Sequence, residues 1–302
     1  MGEKAAFIAI VGVPNVGKSS LLNALLGQKI SIVSAKPQTT RNRIMGILTQ
    51  AETQLVFIDT PGVHTPKTQL VHYMEKSIKS SVSSVDSCLF VVEAGKKLKP
   101  AELKLTKKLK NLKISVILAI NKIDILPDKS VLMQQIAQIS ELIDLAAVVP
   151  VSAKTHDGLD ILIDELRKMA TCEGHFFQDD ALTDQPERVI VAEIIREKIL
   201  QLVDKEIPHG VAVCVEKMRD RGDGNLLDID ATIYCEKTTH KGILIGKHGA
   251  MLKKIGSLAR ADIENFFDTK VNLQIWIKVK EDWRNKTGIL RNFGFDEKNF
   301  DM

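Results

Sequence analysis

Gly12-Val13-Pro14-Asn15-Val16-Gly17-Lys18-Ser19 decides how the rest of the chain is read, because it stands between a short apolar run and an amphipathic one. Phe7 to Val11 reads as a buried strand, and Ser20 to Leu26 continues with helical apolar spacing at Leu21, Leu22, Leu25 and Leu26. A glycine-rich turn between the two opens a helix, whose unpaired N–H groups and positive end face any anion in the turn. Gly12 and Gly17 allow the close phosphate approach that a Cβ obstructs. Lys18 reaches the β- and γ-phosphates, and Ser19 offers its hydroxyl to Mg²⁺. The pattern is a P-loop, and residues Gly12 to Ser19 together with Ser20 form its nucleotide-binding set.

Composition bounds the rest. A chain of 302 residues exceeds one typical core, so two domains are expected. No apolar run approaches the length of about 18 residues that a membrane span needs, and the N-terminus lacks a signal-peptide pattern. A cytoplasmic location is expected. Cys88, Cys172, Cys214 and Cys235 are scattered without metal-site or redox spacing, and Cys88, Cys214 and Cys235 read as small strand residues. The net charge of +4 divides unevenly, with 22 basic and 16 acidic residues up to position 175 and 20 and 22 after it. Bulk charge therefore does not identify a nucleic-acid partner.

After the P-loop, strands and helices alternate as in a mostly parallel sheet covered on both faces. Gln54 to Ile58, Ser87 to Val92, Ile114 to Ile120 and Ala147 to Val151 read as strands; Gln69 to Ser83, Pro100 to Lys110, Ser130 to Leu142 and Gly158 to Met169 read as helices. Ligands of such a sheet gather at the carboxyl ends of its strands, and three motifs fall there. Asp59-Thr60-Pro61-Gly62 puts a carboxylate where it can hold Mg²⁺ and the Gly62 N–H where it can sense a γ-phosphate. In Asn121-Lys122-Ile123-Asp124, Asp124 can accept two hydrogen bonds from the N1–H and 2-amino group of guanine, which adenine cannot supply. Two charge-assisted bonds of about 1.5 to 3 kcal/mol each select GTP over ATP. Lys122 is expected along the base, and Asn121 is expected to tie this loop to the P-loop. Ser152-Ala153-Lys154 follows the last strand, where backbone N–H groups can meet the guanine carbonyl.

Ser34 to Arg43 is polar and occupies the place of a first switch loop. A threonine there completes Mg²⁺ coordination only when the γ-phosphate is present, with Thr40 preferred to Thr39. Lys18, Thr40 and Gly62 thus form the catalytic set; Ser19, Thr40 and Asp59 form the Mg²⁺ set. Lys36, Arg41 and Arg43 read as a solvated charge cluster. Val63 stands where many GTPases carry the water-orienting glutamine, so hydrolysis is expected to rely on another group, a partner or a second cation. Asn15 has two readings, a ligand for a monovalent ion such as K⁺ or simple turn chemistry. His64 reads as a solvated switch histidine.

Thr171 to Pro186 is polar and breaks the periodic pattern, so it reads as a linker in which Phe176 and Phe177 dock on a domain surface. Beyond it come a helix from Arg188 to Glu206, strands Val211 to Lys217 and Leu226 to Cys235 joined by a turn with Asp223-Gly224, and a short helix Thr239 to Leu244. Gly246-Lys247-His248-Gly249, a helix Ala250 to Phe267 and a strand Val271 to Val279 follow. That order matches the bacterial type of KH domain, in which a Gly-x-x-Gly loop clamps nucleotide phosphates beside an apolar groove. The window Lys237 to Arg260 holds six Lys or Arg and no Asp or Glu. Ile245, Gly246, Lys247, His248, Gly249, Lys253 and Lys254 are the RNA-binding candidates. Trp276 and Trp283 can stack on bases, although the alternation of the last strand turns Trp276 toward the core.

With these motifs in place the chain resembles the bacterial Era family of GTPases over nearly its whole length. Residues 12 to 19, Pro37 to Arg43, Asp59 to Gly62, Asn121 to Asp124, Gly246 to Gly249 and the Val279 to Arg284 stretch all fit the family's pattern. The expected architecture is an α/β P-loop GTPase domain over 1–172, a linker over 173–186, and a type II, α+β KH domain with a C-terminal tail over 187–302. The resemblance implies binding of the 3′ end of small-subunit ribosomal RNA and a role in maturing the small ribosomal subunit. It also implies peripheral association with the inner face of the membrane. A monomer that binds GTP, GDP and Mg²⁺ is expected, with a constitutive RNA-binding scaffold carrying a structural nucleotide site as the rival reading.

Overall fold

The computed structural model describes residues 2–34, 36, 39–41, 43–59, 85–112, 114–128, 130–204, 206–222 and 226–295. The helix expected at Gln69 to Ser83 and the Asp223-Gly224 turn lie outside the described residues.

The first domain runs β1 (Lys4–Val11), α1 (Lys18–Leu26), β2 (Ile44–Gln50), β3 (Thr53–Asp59), β4 (Ser87–Glu93), α2 (Pro100–Leu112), β5 (Ser115–Asn121), α3 (Ser130–Ser140), β6 (Ala147–Val151), α4 (Leu159–Arg167) and β7 (Cys172–Glu173). The sheet order is β2-β3-β1-β4-β5-β6, with β7 on the start of β1. Strands β3, β1, β4, β5 and β6 are parallel, and their near-continuous apolar runs follow from burial on both faces. Leu21, Leu22 and Leu25 of α1 join Leu162 and Leu166 of α4 over one face. Leu105 and Leu109 of α2 with Leu132 and Ile139 of α3 cover the other.

Strand β2 has no counterpart in the sequence reading. It pairs antiparallel with β3 from Ile44 opposite Asp59 to Gln50 opposite Thr53. Ala51 takes the left-handed turn conformation, with φ 53°, that a hairpin usually gives to Gly or Asn. The usual turn signal is therefore missing.

The segment expected to be a linker is tied along the first sheet. Gln54 is fully buried; its Nε2 donates to the Phe177 carbonyl and its Oε1 accepts from the Phe176 and Phe177 N–H groups. The Phe176 ring lies 4.9 Å from Phe7, the Ile47 N–H donates to the Leu182 carbonyl, and the Thr183 hydroxyl donates to the Met45 carbonyl. The strap thus satisfies part of the exposed edge of β2.

The second domain runs α5 (Glu187–Leu202), β8 (Val211–Asp220), β9 (Leu226–Cys235), α6 (Thr238–Ile245), α7 (Ala250–Phe267), β10 (Lys270–Val279) and α8 (Thr287–Asn292). Its sheet order is β10-β9-β8, with β10 parallel and β8 antiparallel to β9. Ile195 and Ile199 of α5, Ile255 and Ile263 of α7, and Ile229, Ala231 and Ile233 of β9 build one core between helices and sheet. Residues two apart share a face, so Val271, Leu273, Ile275 and Ile277 turn to this core. Trp276 falls on the opposite face and is 45 % exposed, which corrects its placement in the core. Trp283 is the buried one: it packs with Ala212, Leu290 and Phe295, and its Nε1 donates to the Gly210 carbonyl at 2.9 Å. It is not available to stack on bases. Among the described residues no helix is long and apolar enough to cross a membrane.

Removing Trp283 opens a void and leaves the Gly210 carbonyl without its donor. Trp283→Ala is expected to destabilise the second domain by about 3 to 5 kcal/mol, and Trp283→Phe by about 1 to 3 kcal/mol. Urea unfolding of both variants, followed by far-UV circular dichroism, measures the difference.

Candidate functional site

Helix α1 starts at Lys18 directly after Gly17, which sits at φ 98° and supplies no side-chain cap. The first N–H groups of the helix are left for an external acceptor. A Cβ at Gly17 would stand 2.3 Å from Asn121 Nδ2, so only glycine lets the P-loop and the β5 loop close on each other. Val13 and Val16 turn their side chains into the core and leave only backbone at the turn. Pro14, Asn15, Lys18, Ser19, Ser20 and Thr40 line a cavity of about 290 Å³ above it. Lys18 is buried, and its Nζ spans the loop to the carbonyls of Gly12 at 3.1 Å and Val13 at 3.2 Å.

Four side chains from separate segments meet at the end of β3. Asp59 is fully buried; its Oδ2 accepts from Ser19 Oγ at 2.7 Å and Ser31 Oγ at 3.0 Å, while its Oδ1 has no partner. Thr40 Oγ1 lies 3.0 Å from Ser19 Oγ. Burial pushes the Asp59 carboxyl up, against the pull of the Lys18 charge and the hydroxyls; burial pushes the Lys18 ammonium down, against the charge of Asp59. An orphaned buried carboxylate oxygen beside two hydroxyls is an all-oxygen donor set of the kind Mg²⁺ takes. The residues present fit the ion. Thr39 turns away, its hydroxyl donating to the Lys36 carbonyl at 2.6 Å. Ser31 is a contributor that the sequence reading missed, because a serine inside the apolar run Ile30 to Val33 carries no motif; Asn23 of α1 holds it there by bonding the Ile30 and Ser31 backbone.

Asn121 joins three loops. Its Nδ2 donates to the Val16 carbonyl at 2.9 Å and its Oδ1 accepts from the N–H groups of Lys122 and Ala153. Asp124 lies in an exposed turn with buried Ile123 before it, and its Oδ1 accepts from Ser152 Oγ at 2.7 Å. Lys122 reaches across to the Asn15 carbonyl at 2.8 Å and Glu93 at 3.1 Å, a partner invisible to motif reading. Lys154 is exposed at the rim. Thr60, Pro61, Gly62, Val63 and His64 lie outside the described residues.

The basic residues of the switch loop are not a solvated cluster. Arg41 is 1 % exposed and donates to the carbonyls of Val211 at 2.6 Å and His209 at 2.9 Å in the second domain, with its guanidinium 5.9 Å from the Trp283 ring. Arg43 is also buried, and Lys36 donates to Asp204 at 3.0 Å. Polar residues next to a second domain read as exposed in one dimension and are covered in three. In return, Arg196 of α5 donates to the Thr39 carbonyl, and Glu197 accepts from the Val33 N–H at 2.8 Å.

In the second domain, Gly246 takes φ 72°, and a Cβ there would meet the Met251 backbone N at 2.8 Å, so the chain turns sharply from α6 into α7. Lys247 and His248 project into solvent from this turn, while Ile245 is half-buried and packs on the core. A groove of about 390 Å³ runs from Gly249 between α7 and the edge strand β10. Leu252, Leu273 and Ile275 supply its apolar floor and Lys253 and Arg260 its charged rim. Lys254 is exposed outside it. Gly256 and Arg260 were readable from the helical spacing 249, 252, 253, 256, 260; Leu273 and Ile275 come from a strand that only tertiary pairing brings near.

Asp124→Asn exchanges an anionic acceptor for an amide that cannot receive both guanine donors. It is expected to weaken GDP binding by roughly 10² to 10⁴-fold and to favour xanthine over guanine nucleotides, since the loss is that of charge-assisted bonds. Competition titrations with GDP and XDP check this.

Comparison with known proteins identifies both domains. Residues 7–122 match the family model described as 50S ribosome-binding GTPase, and residues 206–284 match the KH domain. The chain is 49 % identical to GTPase Era of Ruminiclostridium cellulolyticum, over 98 % of each, and 46 % identical to GTPase Era of Clostridioides difficile, over 98 % of this chain and 99 % of that one. Among solved structures it superimposes on a variant of Aquifex aeolicus Era bound to GDP·AlF4⁻ with a TM-score of 0.92 at 38 % identity, covering 97 % of this chain and 99 % of that one. It superimposes on Era in complex with MgGDPNP and nucleotides 1506–1542 of 16S ribosomal RNA with a TM-score of 0.91 at 36 % identity, over the same shares. A P-loop, the Asn121 to Asp124 loop at the end of β5 and a Gly-x-x-Gly groove, in one chain that aligns nearly end to end with these relatives, place this protein in the Era family of GTPases.

Proposed function

We propose that this GTPase is a nucleotide-driven switch that binds small-subunit ribosomal RNA near its 3′ end and assists assembly of the small ribosomal subunit in the cytoplasm. The observation that carries the reading is the convergence of Ser19, Thr40 and Asp59 on one point, with the neighbours of Thr40 bonded into the second domain. In this reading the GTPase domain ends near residue 172 and the strap 173–186 joins it to the KH domain.

Phosphate oxygens of GTP lie against the N–H groups that open α1, and Lys18 neutralises charge on the β- and γ-phosphates. Ser19, Thr40 and Asp59 would hold Mg²⁺, which when bound screens the phosphate charge. Thr40 joins that set only while a γ-phosphate is present, so hydrolysis releases the loop 29–41. Arg41 and Arg196 then pass the release to the KH domain. Asp124 selects guanine, and Ser152 holds its carboxylate in place. The groove beside Gly249 takes unpaired bases on Leu252, Leu273 and Ile275, and Lys247, Lys253 and Arg260 meet phosphates. The complex of a relative with 16S ribosomal RNA supports this choice of partner. Peripheral membrane association rests on family resemblance alone.

Lys247→Asp with His248→Asp sets negative charge against RNA phosphate at two exposed positions. RNA affinity is expected to fall at least tenfold at low salt, with GTP affinity and far-UV circular dichroism unchanged; wild-type RNA affinity in the folded variant would refute the groove. With Val63 in place of a water-orienting glutamine, turnover is expected on the order of 10⁻² s⁻¹ or below without a stimulant. Asn15 as a monovalent-ion ligand predicts faster phosphate release in K⁺ than in Na⁺ and loss of that difference in Asn15→Ala. Zero turnover in either salt would favour a scaffold with a structural nucleotide site.

A further inference from the structure

Between the switch loop, α5, β8 and the turn after α8 lies a cavity of about 540 Å³, larger than the one above the P-loop. Its walls carry four guanidinium groups, Arg41, Arg43, Arg188 and Arg196, and the rings of Phe293 and Phe295. Among the described residues two carboxylates line it, Asp184 and Glu193. Glu193 is already engaged by Arg196 at 2.6 Å, and Asp184 accepts from the Met45 N–H and from Gln185.

Four guanidinium groups thus face two carboxylates among the described residues, and the positive charge is cancelled only in part. Arg41, at 1 % exposure, is held by backbone carbonyls alone and its Nε has no partner; Nη1 of Arg196, at 2 % exposure, is likewise unpartnered. Arg43, at 8 % exposure, and the exposed Arg188 pair with no carboxylate among the described residues. Burying a guanidinium group without an anion is costly, and a bound anion offsets part of that cost. Burial and the neighbouring Arg196 charge drive the Arg41 guanidinium well below its usual range, against the opposing pull of Glu193 and Glu236.

We propose that this cavity is a second ligand site, separate from the P-loop, for a phosphorylated small molecule of nucleotide size. Guanidinium forks match phosphate oxygens bidentately, the aromatic rings offer a surface to a planar or apolar moiety, and the volume lies within the range of small-molecule pockets, about 300 to 1,000 Å³. Arg41 and Arg43 come from the first domain and Arg188 and Arg196 from α5, so a ligand here bridges the two domains. It does so one residue from Thr40.

ADP is a suitable probe, because the guanine-selective Asp124 loop disfavours adenine at the P-loop. The full chain is first saturated with Mg²⁺ and a non-hydrolysable GTP analogue, then titrated calorimetrically with ADP and with adenosine. One saturable site for ADP and none for adenosine is expected. Arg43→Ser with Arg188→Ser should weaken ADP at least about tenfold while leaving the melting temperature and GTP-analogue affinity unchanged, since neither side chain makes a hydrogen bond within the described residues. Absence of ADP binding to the wild type, or equal binding of adenosine, or equal binding to the double variant, overturns the proposal. So does loss of RNA affinity in the double variant without ADP binding to the wild type, which gives the arginines to the RNA track. ADP binding that emerges only after Asp296→Asn, Glu297→Gln and Asp301→Asn overturns it too, by assigning the cavity to the chain's own acids.

Discussion

A buried carboxylate at the end of β3 must be met by hydrogen-bond donors, and Asp59 draws those donors from two places in the sequence. Ser19 comes from the P-loop helix and Ser31 from the loop after it, while Thr40 of the switch segment bonds to Ser19. One oxygen remains unpaired. That oxygen suits a cation, and in the proposed reading the constraint that folds the loop onto the sheet also makes the loop depend on what the nucleotide brings with it.

That dependence reaches the second domain through polar contacts. Glu197 is buried and accepts from Lys29, Lys198 and the Val33 N–H, and Asp262 of α7 accepts from both lysines. Such a network is satisfied in one geometry and costly when half satisfied. An apolar interface would tolerate sliding; this one specifies a particular geometry. The Lys29 ammonium is held above its usual range by Asp262 and Glu197, and the Asp262 carboxyl below its own by Lys198 and Lys29, in both cases against the opposing effect of burial.

The groove of the second domain is built on the opposite principle. Its floor is apolar and open along the edge strand β10, its glycine turn lies at one end, and its charges stand on the rim. An apolar floor of this kind suits unpaired bases without strong hydrogen-bond discrimination, and a backbone and lysine rim suits phosphates. The two sites thus share no residue. Among the described residues, contacts of Lys29, Val33, Lys36, Thr39 and Arg41 with the second domain lie between them.

The sequence by itself determined the two folds and the residue types of the nucleotide site. Glycine spacing, apolar runs and strand-end motifs are local properties, and the backbone geometry they impose is the same wherever the motif occurs. The edge strand β2 escaped because Ala51 occupies a turn position that usually announces itself with glycine or asparagine. Tertiary structure alone decided the rest, since burial is a property of neighbours. Arg41 reads as a surface charge until β8 and Trp283 cover it. Ser31 reads as an ordinary serine until Asp59 arrives from 28 residues away. Trp276 and Trp283 exchange places between surface and core because strand alternation turns the first away from the helices, while the C-terminal turn folds the second beneath Leu290 and Phe295. No pattern within a window of ten residues carries that information.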